Sequence, residues 1–163
     1  MATTALGGNP VNTVGDLPTV GSAAPAFTLT GTDFSDVTLT SGTRTVLNIF
    51  PSVDTGVCAA SVKKFNELAA SLDDTSVVCV SVDLPFALAR FCGAEGIDNV
   101  TAASGFKSSF GDDYGVTLTG GKFEALLARS VVVVDGSGTV IHSQLVPEIG
   151  QEPDYDAVVA SLG

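Results

Sequence analysis

The chain has 163 residues, of which 45% are hydrophobic and 15% are charged, and this composition fits one globular α/β domain rather than a disordered chain. Seven basic residues against 18 acidic ones give a formal charge of −11. This charge argues against anionic partners such as nucleic acid and membrane surfaces.

The apolar segments of the chain are also too short for a membrane span. The densest runs, residues 77–80 and 131–134, are strand-sized and fall far below the roughly 20 residues of a spanning helix. No basic residue precedes Arg44, so the sequence lacks the basic start of a signal or transit peptide. We therefore expect a cytoplasmic protein without a membrane partner.

The N-terminal third predicts mainly strands. Glycine, asparagine and proline at positions 7–10 form a turn signal between two short extended pieces, so residues 1–20 predict a hairpin. Residues 27–30 and 36–39 alternate in polarity and are typical of edge strands. Residues 44–50 predict the first central strand. From position 57 to position 72, apolar residues recur at helical spacing, which predicts a helix that packs on a sheet.

The rest of the chain predicts alternating strands and helices. Residues 76–82 predict a second buried strand, and Pro85 suits the first position of a helix that runs to Arg90. Residues 126–134 and 139–145 predict two strands joined by a glycine-containing turn, and a final helix ends near Leu162. The order ββ, βαβα, ββα predicts a mixed sheet with a central parallel βαβ unit and flanking helices, in one domain over residues 1–163.

Cys58 is the strongest candidate for chemistry. It follows the predicted strand at 44–50, a proline, and two possible helix caps, Asp54 and Thr55. It therefore falls in the first turn of a helix, where unpaired backbone N–H groups and the helix dipole favour a thiolate. This position predicts a nucleophile. Thr55 lies one helical turn earlier, so its hydroxyl either caps the helix, contacts the thiolate or substrate, or does both.

Arg129 interrupts the apolar segment 126–134, where a charge requires a partner. That partner is either a carboxylate, in a structural ion pair, or the thiolate of Cys58. Cys79 lies among valines in a predicted buried strand, so we expect it to act as a small hydrophobic residue. The three cysteines form no CxxC pair and the single histidine, His142, lies far downstream, so no metal site is predicted.

Cys92 ends the short helix that starts at Pro85 and precedes the glycine-containing stretch 93–96. Two interpretations are open for it. It is either a packed helix-end residue, or a mobile second thiol that condenses with a sulfenic acid at Cys58.

These residues also carry a family resemblance. Pro51, Thr55 and Cys58 form the pattern PxxxTxxC, which resembles the active-site motif of peroxiredoxins. More narrowly, NIFPSVDTGVCAASV at residues 48–62 and SVDLPFALARFCGAEG at residues 81–96 resemble the bacterial thiol peroxidases, an atypical two-cysteine peroxiredoxin subfamily. The similarity extends from about residue 8 to the C-terminus, whereas residues 104–121 match no motif of the subfamily.

The resemblance implies a thioredoxin-like fold with the N-terminal hairpin as an extension, a homodimer, and no cofactor or metal. It implies that Cys58 is the peroxidatic cysteine, that Thr55 and Arg129 activate it, that Pro51 shields it from water, and that Cys92 is the resolving cysteine. The implied activity is reduction of hydrogen peroxide and alkyl hydroperoxides through a Cys58 sulfenic acid and a Cys58–Cys92 disulfide. Thioredoxin or a similar dithiol would reopen this disulfide, in antioxidant defence and redox homeostasis.

Thiol ionisation alone does not explain such an activity. Converting an ordinary cysteine almost completely into its thiolate raises the reaction rate some thirtyfold, which corresponds to lowering the activation barrier by about 2 kcal/mol. We therefore expect Arg129 and Thr55 to act more on the transition state than on ionisation.

Two other functions stay open at this level. One is a peroxide sensor or relay, and the other is a one-cysteine peroxidase reduced by a small thiol, with a structural Cys92. A metal-binding or purely structural protein would leave the combination of Thr55, Cys58 and Arg129 unexplained.

Overall fold

The computed structural model describes residues 1–163, in which nine strands and four helices are formed. The strands are β1 Thr3–Leu6, β2 Asn9–Asn12, β3 Leu29–Gly31, β4 Asp36–Val37, β5 Arg44–Ile49, β6 Thr75–Ser81, β7 Thr101–Ser104, β8 Ser130–Val134 and β9 Val140–Leu145. The helices are α1 Gly56–Ala69, α2 Pro85–Glu95, α3 Phe110–Asp113 and α4 Tyr155–Ser161. None of these helices has the length and apolar character needed to cross a membrane.

Seven strands form the main sheet, in the order β4-β3-β7-β6-β5-β8-β9. The central strands β5, β6 and β7 are parallel, while β8 and β9 on one side and β3 and β4 on the other are antiparallel. Helix α1 connects β5 to β6, which makes the parallel βαβ unit that the sequence predicts. The predicted mixed α/β fold is therefore confirmed.

The predicted N-terminal hairpin is also present. Strands β1 and β2 pair antiparallel as a separate two-stranded sheet. Gly7 and Gly8 form the turn with φ values of 60° and 82°, and a two-residue hairpin turn with positive φ at both positions favours glycine.

Two hydrophobic cores lie on opposite faces of the main sheet, because successive residues of a strand point to opposite sides. Leu47 of β5 belongs to the first core, which also contains α3 and residues of the N-terminal hairpin. Val46 of β5 belongs to the second core, which contains apolar side chains of α1, α2 and α4. Cys58 lies in the second core, on the face that carries these three helices.

Each core contains one tyrosine in an aromatic group. Tyr114 in the first core stacks on Phe110, with ring centroids 4.4 Å apart and an angle of 19° between the planes. Tyr155 of α4 packs edge-on against Phe65 of α1, with a centroid distance of 5.2 Å and an angle of 67°. The chain has no tryptophan.

Several details differ from the sequence predictions. Helix α2 continues past Arg90 to Glu95 and ends at Gly96, which has a φ of 66°. Arg129 lies just before β8 rather than inside a strand that starts at residue 126. The middle of the chain forms β7 and α3, neither of which was predicted, because β7 is a short Thr-Ala-Ala-Ser strand held by its two neighbours.

Candidate active site

Cys58 is the third residue of α1, and its side chain is fully buried. Helix α1 begins directly after Thr55, whose hydroxyl oxygen accepts a hydrogen bond from the Cys58 backbone N–H at 3.2 Å. An N-cap of this kind stabilises a helix by about 1 kcal/mol. The same hydroxyl donates to the carbonyl of Ser52 at 3.3 Å, so its hydrogen bonds go to backbone groups rather than to the Cys58 sulfur.

Arg129 is the partner of the Cys58 sulfur. Its side chain is 1% exposed, and Nη2 lies 3.1 Å from Sγ of Cys58. Nε donates to the carbonyl of Ile149 at 2.6 Å, while Nη1 has no hydrogen-bond partner in the protein. The guanidinium is always charged, so a thiolate at Cys58 has a fixed counter-charge. Of the two partners that the sequence left open for Arg129, the structure therefore places it on the sulfur.

A cavity of about 230 Å³ opens beside this pair. It is lined by Leu6, Thr55, Gly56, Val57, Phe123, Arg129, Ile149 and Gly150. Leu6 of the N-terminal hairpin, Phe123 and Ile149 contribute apolar side chains to this lining, and Thr55 and Arg129 contribute polar ones. The cavity therefore offers both polar groups and apolar surface.

The N-terminal hairpin holds the segment that orients Arg129. The amide of Ile149 donates to the carbonyl of Ala5 at 2.8 Å, which fixes the residue whose own carbonyl binds Arg129. Glu148 accepts hydrogen bonds from the backbone N–H of Gly150 at 2.9 Å and of Gly8 at 2.7 Å. These bonds, first that of Gly150, lower the pKa of Glu148. This support from the hairpin is not evident in the sequence.

The loop before α1 is held by the side chain of Asp83, which was not predicted as a site residue. Pro51 is buried, and its role in shielding the sulfur stays a prediction. Asp83, which follows β6, accepts hydrogen bonds from the hydroxyl of Ser52 at 2.7 Å and the N–H of Val53 at 2.9 Å. The signal was available in principle, because the carboxyl ends of adjacent parallel strands such as β5 and β6 meet at one edge of a sheet.

Cys92 lies in the last turn of α2 and is half-buried. Its carbonyl accepts hydrogen bonds from the N–H groups of Gly96 and Ile97, so its backbone belongs to a closed helix end rather than to a frayed one. Burial raises the pKa of the Cys92 thiol. Its side chain borders the same core as Cys58 but lines a different groove, shared with Asp33 and other residues of the β3–β4 region. The structure therefore holds the two thiols apart as free cysteines.

Cys79 and His142 lie outside this arrangement. Cys79 is fully buried in β6, where burial raises the pKa of its thiol to about 12. Its sulfur contacts Nδ2 of Asn48 at 3.7 Å, and neither residue lines the cavity. His142 lies on β9, and burial lowers its pKa.

Comparison with known proteins defines the class of this protein. A model of the redoxin family matches residues 19–159. The thiol peroxidase of Corynebacterium glutamicum is 57% identical and aligns over 99% of this chain and 99% of its own length. The thiol peroxidase of Mycobacterium tuberculosis is also 57% identical, over 100% of this chain and 99% of its own length.

A solved structure agrees with these sequence relatives. The crystal structure of a peroxiredoxin-like protein from Aquifex aeolicus superposes with a TM-score of 0.95 at 41% identity, covering 99% of this chain and 96% of that one. The chain therefore belongs to the redoxin family. Its 57% identity to thiol peroxidases over nearly the full length shows that the chain is a peroxiredoxin-type peroxidase. The predicted enzyme class and the predicted thioredoxin-like fold are therefore confirmed.

Proposed function

We propose that this peroxidase reduces hydrogen peroxide and alkyl hydroperoxides with Cys58 as its nucleophile. The supporting observation is the 3.1 Å contact between Nη2 of Arg129 and the buried Cys58 sulfur, since Arg129 also lines a cavity. The apolar lining residues of that cavity, among them Leu6 and Phe123, suit the organic part of an alkyl hydroperoxide.

In the first step, the Cys58 thiolate attacks one peroxide oxygen. The S–O bond forms as the O–O bond breaks, so the sulfur is oxidised to a sulfenic acid while the peroxide is reduced. The leaving oxygen departs with negative charge and takes a proton from water to become an alcohol or water. Arg129 stabilises that charge, and its Nη1 is the donor without a protein partner. Thr55 keeps the first turn of α1 in place.

In the second step, the Cys92 thiol condenses with the sulfenic acid. The S–S bond forms, the S–OH bond breaks, and the hydroxide leaves as water with the proton of the Cys92 thiol. Because burial raises its pKa, Cys92 is protonated at neutral pH and brings that proton with it. A dithiol such as thioredoxin then reduces the disulfide by thiol–disulfide exchange and is itself oxidised.

The experiment is intact-mass analysis and peptide mapping after one equivalent of cumene hydroperoxide, with Cys92→Ser as the control. We expect the wild type to lose two hydrogens and to yield a Cys58–Cys92 peptide pair, while Cys92→Ser gains one oxygen on Cys58. A stable gain of one oxygen in the wild type would instead indicate a one-cysteine peroxidase or a sensor. Unmodified protein would contradict the assignment of Cys58.

We further propose that the enzyme is a cytoplasmic homodimer that serves antioxidant defence, as the resemblance to thiol peroxidases implies. The candidate contact is an exposed pair of phenylalanines. Phe34 and Phe86 are 48% and 71% exposed, and their rings lie 5.1 Å apart. Sedimentation equilibrium of the wild type and of Phe86→Ser tests the proposal, with a dimer for the first and a weaker dimer for the second as the expected result.

A further inference from the structure

Asp83 connects the loop in front of Cys58 to the helix that carries Cys92. One carboxylate oxygen, Oδ1, accepts a hydrogen bond from the hydroxyl of Ser52 at 2.7 Å. The other, Oδ2, accepts from the N–H of Val53 at 2.9 Å and from the hydroxyl of Ser81 at 2.6 Å. The backbone carbonyl of Asp83 accepts a further bond from the hydroxyl of Ser104. Both the side chain and the backbone of Asp83 are therefore held.

On the Cys58 side, a short chain of hydrogen bonds connects Asp83 to the backbone of Cys58. The carbonyl of Ser52 accepts hydrogen bonds from the N–H of Thr55 at 3.2 Å and from its hydroxyl at 3.3 Å. Thr55 in turn caps the Cys58 N–H at 3.2 Å. Ser52 thus connects Asp83 to the N-cap of helix α1, with its hydroxyl bonded to Asp83 and its carbonyl bonded to Thr55.

On the Cys92 side, Asp83 stands two residues before the start of α2. Leu84 is the N-cap of that helix and Pro85 is its first residue, and no side chain caps it. A displacement of Asp83 therefore displaces the beginning of α2 as well.

The thiols of Cys58 and Cys92 are free and border different spaces. The Cys58 sulfur has Arg129 as its hydrogen-bond partner, and the cavity beside Arg129 shares no residue with the groove that Cys92 lines. A disulfide needs an S–S distance of about 2.05 Å, so the segments that hold the two cysteines must rearrange before the bond forms.

We propose that Asp83 is a positioning residue that sets the balance between the two steps of the reaction, an inference that rests on the proposed Cys58–Cys92 cycle. With its three carboxylate hydrogen bonds intact, Cys58 stays against Arg129 and reacts with peroxide. When they break, the loop at 51–55 is released from Asp83 and from the start of α2, and the sulfenic acid reaches Cys92. Tight bonding at Asp83 therefore favours peroxide reduction and slows disulfide formation.

Other polar contacts also connect the regions of α1 and α2. Asp54 pairs with Arg90 at 3.1 Å, and Lys63 pairs with Glu95 at 3.0 Å. All four of these side chains are at least 40% exposed, and exposed ion pairs contribute little to stability. Asn66 of α1 accepts hydrogen bonds from the N–H groups of Asp98 and Asn99, beyond the C-terminal end of α2. At the opposite end, next to Cys58, the half-buried carboxylate of Asp83 makes the connection.

The test is Asp83→Asn, which keeps the size of the side chain but replaces one acceptor oxygen by a donor NH₂ group. Stopped-flow kinetics with cumene hydroperoxide should show the rate constant for Cys58 oxidation reduced by about tenfold. The rate constant for disulfide formation should rise, and the fraction of Cys58 over-oxidised to sulfinic acid per turnover should fall. Ser52→Ala removes one of the three bonds and should shift both rate constants in the same directions by less.

Asp135→Asn is the matched control. The carboxylate of Asp135 accepts bonds from the hydroxyl of Ser137 at 2.7 Å and from the N–H groups of Ser137 and Thr139, both at 2.9 Å. It lies in the β8–β9 turn, at the opposite end of the sheet from the carboxyl end of β5. This variant should lose stability but keep both rate constants within about twofold of the wild type.

The outcomes separate the two proposals. If Asp83→Asn slows both steps, or changes neither, Asp83 has a structural role only and the inference is wrong. If the wild type itself forms no Cys58–Cys92 disulfide, the proposed cycle fails, and the inference fails with it for that reason alone.

Discussion

At the scale of single residues, the three guanidinium nitrogens of Arg129 have different environments. Nε is held by the Ile149 carbonyl, Nη2 contacts the Cys58 sulfur, and Nη1 has no partner in the protein. A lysine in its place would keep the charge but lose the planar fork that makes these contacts simultaneously. The geometry of the donors, in addition to their charge, is therefore expected to determine the rate.

The first prediction concerns Arg129→Lys and Arg129→Met. Both should slow Cys58 oxidation by about a hundredfold, because a donor to the leaving oxygen is lost. The thiolate fraction, followed by absorbance at 240 nm during a pH titration, should fall much less than the rate. If the rate and the thiolate fraction fell by the same factor, Arg129 would act through ionisation alone.

The second prediction concerns Cys79→Ala. Peroxidase activity should be unchanged, because the sulfur of Cys79 contacts Asn48 rather than Arg129 and burial raises the pKa of its thiol. The free energy of unfolding should fall by about 1 kcal/mol through the small cavity left behind, measured by urea denaturation. In the native wild type, the raised pKa of Cys79 should also protect its thiol from iodoacetamide at mildly alkaline pH. Rapid alkylation of Cys79 would contradict its assignment to the core.

Site residues that lie close together in the sequence could be predicted, and those that lie far apart could be predicted less well. Pro51, Thr55 and Cys58 were predictable because one strand–loop–helix segment contains all three. Arg129 was predictable only as a buried charge in need of a partner, since nothing in the sequence specifies which strand end lies beside α1. Asp83 was not predicted, because an aspartate after a strand is ordinary until the pairing of β5 with β6 brings it to Ser52.

At the scale of elements, the N-terminal hairpin is part of the reactive centre. It supplies Leu6 to the cavity, and through Ala5 and Gly8 it holds the segment whose Ile149 carbonyl orients Arg129. A change in the hairpin should therefore alter catalysis rather than stability alone.

The third prediction concerns Glu148→Gln, which weakens the connection to the hairpin. Cys58 oxidation should slow severalfold, since Arg129 loses part of its support. Glu124→Gln is the control, because Glu124 is exposed and its side chain makes no hydrogen bond. Equal rates for the two variants would show that the hairpin does not position Arg129.

The fourth prediction is the pH dependence of the same contact. The pKa of Glu148 is lowered by the hydrogen bond from the N–H of Gly150 and then by that from Gly8. The stabilisation that the ionised Glu148 gives to the folded protein is therefore present above the ordinary glutamate pKa of about 4.3, and it is lost as pH falls through the lowered pKa. The amide resonance of Gly8, followed by NMR, should titrate below about pH 4.3 in the wild type. It should not titrate there in Glu148→Gln.

The end of α2 shows why some element boundaries could not be predicted. Gly93 and Gly96 lie three residues apart, and either glycine is compatible with a helix end. Only Gly96 takes the left-handed conformation, with a φ of 66°, while Gly93 remains inside the helix. That choice depends on the packing of α2 against the sheet, where Phe91 is buried, rather than on the local sequence.

At the scale of the whole molecule, the two hydrophobic cores share the strands of one sheet. Alternate residues of β5, β6 and β8 belong to opposite cores, so neither core persists without the other. Our fifth prediction is one cooperative unfolding transition, as expected for a single domain over residues 1–163. Far-UV circular dichroism and hydrogen exchange in urea should give the same midpoint. Separate midpoints for the two cores would contradict a single domain.

The two tyrosine-containing aromatic groups have a practical consequence. Tyr155 packs against α1 on one face of the sheet and Tyr114 stacks on Phe110 on the other face, with no tryptophan to obscure either. The protein therefore carries one native optical probe on each side, without any label. If oxidation moves only α1 and α2, the near-ultraviolet dichroism of Tyr155 will change while that of Tyr114 stays constant, and the two signals can be separated with Tyr155→Phe.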